Sequence, residues 1–205
     1  MDFSWDDSCR SFADAAEWFV RTAALVGDRW NEPGLGDWDV RALVGHTSRS
    51  FLTVETYVDR PAQVVDVASA ADYFRATTAA AAEAEVAARG REAGTALGAD
   101  PAAAVTQIAA RVLELVDTKD GTELVTTIVG GMRLADYLPT RTFELAVHTA
   151  DLATALGVSP EDVPATAAAQ ALRIVSDLAV TGNLAGTLLL AATGRPGPPS
   201  GFSVL

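Results

Sequence analysis

The chain holds one cysteine, Cys9, in 205 residues. A lone thiol cannot close an internal disulfide, so nothing points to an oxidising compartment. Positive charge is also scarce: 15 Lys and Arg stand against 27 Asp and Glu, a formal net charge of −12. Such a chain repels phosphate backbones, which argues against a nucleic-acid partner. An anionic membrane surface is disfavoured for the same reason. Long apolar runs are missing too. A membrane span needs ~18 apolar residues, and even the stretch Gly182–Thr193 falls short. The opening MDFSWDDSCR lacks the basic-then-apolar layout of a secretion signal, so the expected location is the cytoplasm. None of this excludes a small anionic ligand, because one local arginine outweighs the global field.

What is abundant is apolar. Residues of this kind make up 49% of the chain, enough for a sizeable core. Alanine dominates them and favours helix. The length suits a single domain spanning 1–205, with an irregular tail over about 194–205 that holds three prolines and three glycines.

Periodicity supplies the elements. Phe12, Ala16, Phe19, Val20 and Ala23 recur at helical spacing, predicting a first helix over Ser8–Val26. Asp39 is a cap residue for a second helix running to about Asp59, with Trp38 placed to staple onto Leu43. A third helix is expected over Ala70–Arg89, followed by a small-residue linker, Gly90–Gly98. Asp100-Pro101 opens a fourth, to Val116. Thr122–Val129 is the one strand-like run, rich in Thr, Val and Ile, and Gly130-Gly131 breaks it. The segment Thr122–Arg133 either pairs as a hairpin or covers the bundle as a loop. A further helix runs from Asp136 to just before Gly157, and a last one from Ser159-Pro160 to Val180. The fold class is therefore all-α: a four-helix bundle with short additional helices and room for one small strand or hairpin. Ala-rich faces are compatible with a homodimer.

Histidine is nearly as scarce as cysteine, with only His46 and His148. His148 lies in RTFELAVHTADLATAL, residues 141–156, whose titratable groups are Arg141, Glu144, His148 and Asp151. At about 100° per residue these four fall in a stripe roughly 80° wide on an otherwise apolar helix. Charges carried on a buried helix need partners or a metal. Glu144 and His148 are four apart, a spacing at which two side chains can chelate one ion. His46 sits beside the core stripe Val40, Leu43, Thr47, Phe51, Val54 and is the third candidate. The same spacing also occurs in helices that bind nothing, and spacing alone does not bring His46 to the other two. Two histidines and one glutamate would leave coordination positions open, as catalytic sites do; zinc is the first expectation, and nickel, iron and cobalt accept similar ligands. Asp151 either orients His148 or makes a plain helix ion pair. Arg141 either binds a carboxylate or pairs with Glu144. Arg49 faces the pocket or the solvent. Cys9, on a core face, is expected to be inert.

GLGDWDVRALVGHTSRS (residues 34–50) and TRTFELAVHTADLATALG (residues 140–157) resemble, in that order, two motifs of the mycothiol-dependent maleylpyruvate isomerase family. That family lies within the DinB-like superfamily of metal-binding helical bundles. The resemblance implies a metal at one end of a bundle, held by His46, Glu144 and His148. It further implies a low-molecular-weight thiol, mycothiol, as cofactor or co-substrate, with Arg141 and Arg49 as candidate contacts to it. The full isomerases resemble a bundle followed by a smaller C-terminal domain, whereas this chain ends at Leu205. The activity expected is therefore a thiol S-transferase or an isomerase acting on an electrophilic small molecule. A metal-dependent hydrolase and a non-catalytic metal- or ligand-binding bundle are the alternatives.

Overall fold

The computed structural model describes residues 3–80, 83–195 and 200–205. Helix α1 spans Trp5–Ala24, three residues ahead of the expected start. The cause is a capping box: the Asp7 amide donates to Ser4 Oγ at 3.1 Å, and the Asp7 carboxylate accepts from Ser4. Helix α2, Val40–Val58, begins where Asp39 accepts from the Ala42 amide. Helix α5, Pro101–Asp117, starts on its Asp-Pro cap, and helix α6 covers Leu134–Ala155. These four form a ring in which α1 and α2 each pack on both α5 and α6. Its interior is filled by Phe12, Phe19, Phe51, Leu43, Leu145 and Leu152, with Phe12 edge-on to Phe51 at 5.8 Å. This is the mostly helical DinB-like fold.

The region after α2 differs from the sequence expectation. Helix α3, Ala70–Ala80, packs on α6, and α4 runs over Glu83–Ala96 against α2. The glycines of Gly90–Gly98 do not make a linker; most of that stretch is helix. A Cβ on Gly94 would lie 2.6 Å from the Arg41 carbonyl oxygen, and one on Gly45 would strike the Gly94 backbone. The small residues let two helices touch backbone to backbone, and this packing offsets their poor helix propensity.

The strand-like run resolves as a hairpin, with strand β1 (Leu124–Thr127) antiparallel to β2 (Gly130–Arg133). Gly130 does not end the sheet. At φ +114° it turns the chain back and opens the second strand. The expected last helix is divided: Pro160–Asp162 is a single 3-10 turn, and α7 spans Ala165–Thr181 after Pro164. A short helix α8, Ala185–Ala192, follows in the apolar stretch and packs on α7. Of the irregular tail, residues 196–199 lie outside the described residues, and Leu205 returns to line the cleft described below. No helix among the described residues is long and apolar enough to cross a membrane.

Candidate metal centre

Helix α6 presents Glu144 and His148 one turn apart, on the side that faces α2. Helix α2 presents His46 to them. One ligand atom from each of the three residues lies within 4.8 Å of the others. The two imidazoles meet edge to face, with centroids 4.8 Å apart and planes at 87°. The packing of α2 on α6, which spacing could not reveal, thus brings together all three sequence candidates.

Each candidate ligand is held differently. His148 lies between two carboxylates: Nε2 is 3.2 Å from Glu144 Oε2, and Nδ1 is 3.0 Å from Asp151 Oδ2. Burial opposes a charge on His148, but the Asp151 and Glu144 contacts outweigh it and carry its pKa up to about 9. For Glu144, burial alone would raise the carboxyl; the His148 hydrogen bond and the nearby Arg141 charge prevail and take it down to about 2. His46 is pushed the other way. Burial, aided by repulsion from His148, lowers its imidazole to about 4, so it stays neutral with a lone pair free. Its Nδ1 is buried with no hydrogen-bond partner. An orphaned buried nitrogen costs free energy unless something binds to it. Two imidazoles and an ionised carboxylate are a donor set that fits a divalent ion.

The centre opens into a cleft of about 360 Å³. Its lining includes the charged or polar His46, Glu144, Arg49, Arg141, Glu85 and Arg89 and the apolar Phe74, Val86, Ile128 and Val129. Arg141 is only 7% exposed. Its Nε donates to Thr140 Oγ1 at 2.9 Å, and its guanidinium lies 5.0 Å and 5.3 Å from the ring centroids of Tyr137 and Tyr73. It makes no ion pair among the described residues, so the pairing with Glu144 weighed from the sequence does not form. Arg49 is half-buried on the cleft wall rather than fully solvated. Cys9 lies away from the cleft, half-buried against the core, and burial pushes its thiol up to about 11.

Sequence reasoning missed the tyrosines around Arg141, the place of the hairpin turn in the cleft lining and the contact of Trp38 with His46. That indole covers His46 rather than serving only as a staple. Trp38, eight residues before His46, was visible, but only the tertiary packing assigns its ring to the imidazole.

A helical bundle that brings two histidines and a glutamate together, with His46 and Glu144 lining a cleft, has the arrangement of a DinB-like metal-binding domain. The family model for the mycothiol maleylpyruvate isomerase N-terminal domain matches residues 10–153, and the chain belongs to that family. The matched stretch starts within α1, ends beyond Asp151 and contains all three candidate ligands. No curated protein and no solved structure matches the chain.

Proposed function

We propose that the chain is a divalent-metal- and thiol-dependent enzyme that acts on an electrophilic small molecule, as an S-transferase or an isomerase, with mycothiol as the thiol. His46, Glu144 and His148 are the metal ligands in this reading, and zinc is the first choice of ion. The observation that carries it is the mutual reach of the three ligand atoms beside a cleft that His46 and Glu144 line. A divalent ion held there would supply a thiolate at neutral pH by lowering the pKa of a bound thiol.

The chain's own residues do the rest. Asp151 accepts from His148 Nδ1, which fixes the ring and leaves Nε2 directed at Glu144 and the ion site. Arg141 offers guanidinium donors to an anionic group of the substrate or thiol, and Arg49 offers a second cation on the same wall. The apolar wall of Phe74, Val86 and Ile128 takes the uncharged body of the electrophile and keeps water from it. Among the described residues no thiol lines the cleft: Cys9 is remote and burial raises its pKa to about 11.

The test begins with elemental mass spectrometry of protein purified without a chelator or a histidine tag. Near-stoichiometric metal is expected in the wild type and is lost in His46→Ala, Glu144→Ala and His148→Ala; Asp151→Asn keeps the site but binds about 10–100-fold more weakly. Loaded protein is then assayed on an electrophile panel with and without thiol. Turnover that continues when thiol is omitted favours a hydrolase and ends the thiol reading. A wild type that takes up no metal after reconstitution ends the metal reading.

A further inference from the structure

His46 and His148 are fixed by opposite means. His148 has hydrogen-bonding contacts at both ring nitrogens. His46 has no hydrogen bond at either ring nitrogen among the described residues, so whichever nitrogen faces an ion, the other is untethered. A ligand imidazole normally takes its orientation from a hydrogen bond at its second nitrogen, and losing that partner costs affinity. Something else must hold the His46 ring, and the structure shows what lies against it. The Trp38 indole covers it with centroids 4.5 Å apart and planes 33° apart, while the edge-on His148 ring closes in from another direction.

Trp38 is itself locked to a third element. Its Nε1 donates to the Ala87 carbonyl of α4 at 3.0 Å. Gly90, one turn further along α4, makes room for the ring: a Cβ there would sit 2.7 Å from the indole. Helix α4 is in turn seated on α2 through Gly94 and Gly45, the neighbour of His46. The chain of contact therefore runs from α4 through Trp38 to His46.

We propose that Trp38 is the positioning residue of His46, setting its ring for metal binding by aromatic packing in place of a hydrogen bond, with α4 as the anchor. The proposal rests on the metal reading given above. It assigns α4 a role in a centre to which it gives no ligand. Among the described residues Trp38 is the one tryptophan of four in ring contact with a metal-ligand candidate, so the indole reports the state of the centre.

The experiment compares wild type, Trp38→Phe, Trp38→Ala and Gly90→Ala by three readouts: Co²⁺ affinity by titration, thermal unfolding of the metal-free protein, and ¹H–¹⁵N NMR of the two imidazoles. Trp38→Ala is expected to weaken Co²⁺ binding about tenfold, the lower end of what loss of an outer partner costs. Trp38→Phe, which keeps a ring, should recover most of that loss. Gly90→Ala touches no ligand and improves helix propensity, yet should also weaken binding because its methyl displaces the indole. In metal-free protein the His46 ring signals should move in Trp38→Ala while those of His148 stay in place. Co²⁺ should quench wild-type tryptophan emission, and Trp38→Phe should lose most of that response. Co²⁺ affinity unchanged in Trp38→Ala and Gly90→Ala, with both folded, overturns the proposal. If Trp38→Ala does not fold, Gly90→Ala and Trp38→Phe decide it on the same readouts. A wild type that binds no Co²⁺ would end the metal reading. The metal-free NMR comparison still decides whether Trp38 holds His46: His46 signals unmoved by loss of the indole count against it.

Discussion

Gly45→Ala is the sharpest test of the packing that carries the site. In an isolated helix this change stabilises, by about 1 kcal/mol, because alanine is the best helix former and glycine one of the worst. At Gly45 the new methyl would collide with the Gly94 backbone of α4. A flexible side chain could swing aside, but a helix backbone cannot, so α2 and α4 must part. Overpacking of this kind costs about 1–3 kcal/mol, and a backbone obstacle puts the cost toward the upper end. The two effects combine to a net loss of about 1–2 kcal/mol, a fall in Tm of roughly 2–8 °C for a chain of this size. Gly186→Ala is the control. Gly186 lies in α8, is exposed, and a Cβ there meets nothing within 4 Å. The same chemical change should stabilise by about 0.4–1 kcal/mol there. Urea melts followed by circular dichroism would measure both variants against wild type. A Gly45→Ala protein as stable as wild type, or more so, would refute the backbone contact between α2 and α4. The anchoring role given to α4 would fall with it.

Two other sites make independent predictions. Tyr137 is fully buried and its hydroxyl donates to Thr53 Oγ1 at 2.8 Å, so Tyr137→Phe should cost about 1 kcal/mol. Thr53 keeps its own bond to the Arg49 carbonyl, and the urea midpoint should fall with an unchanged slope; an unmoved midpoint would show that the hydroxyl bond contributes nothing. Arg111 grips the Glu55 carboxylate through Nε and Nη2 at 2.6 Å and 3.1 Å, tying α5 to α2. That hydrogen bonding holds the Glu55 carboxyl below its ordinary value. A depressed acid stabilises the fold above its unfolded pKa, and the contribution is lost as pH falls through the folded pKa. Arg111 is 52% exposed, so screening limits the pair to under about 1 kcal/mol. Glu55→Gln should therefore be slightly less stable than wild type at pH 7, with the two curves converging at acid pH; a gap that persists there would rule out the ion pair as its source.

Much of the site could be read along the chain because its signals are local. Glu144 and His148 share one helix face, and the narrow charged stripe on an apolar helix needs only the 3.6-residue period to be seen. Capping carries the same local information, as Asp39 and Asp100 show. Arg141 was visible as an anomaly on that stripe. Its environment was not, since Tyr73 reaches it from α3, far away in sequence.

The glycines show where such reading fails and why. Sequence alone treats Gly90 and Gly94 as breaks, because an isolated chain has only propensity to decide with. In the folded chain the missing Cβ is what counts: it lets α4 come within backbone contact of α2 and leaves Gly90 as a seat for the Trp38 ring. Two residues that argue against a helix one at a time thus become the reason a helix lies there. The consequence reaches the site, because the wall that α4 forms brings Val86 to the cleft and holds the indole over His46. A substitution that improves α4 as a helix while filling that space should therefore harm the centre. No local scale of propensity contains that sign reversal, since it depends on which surface the glycine faces.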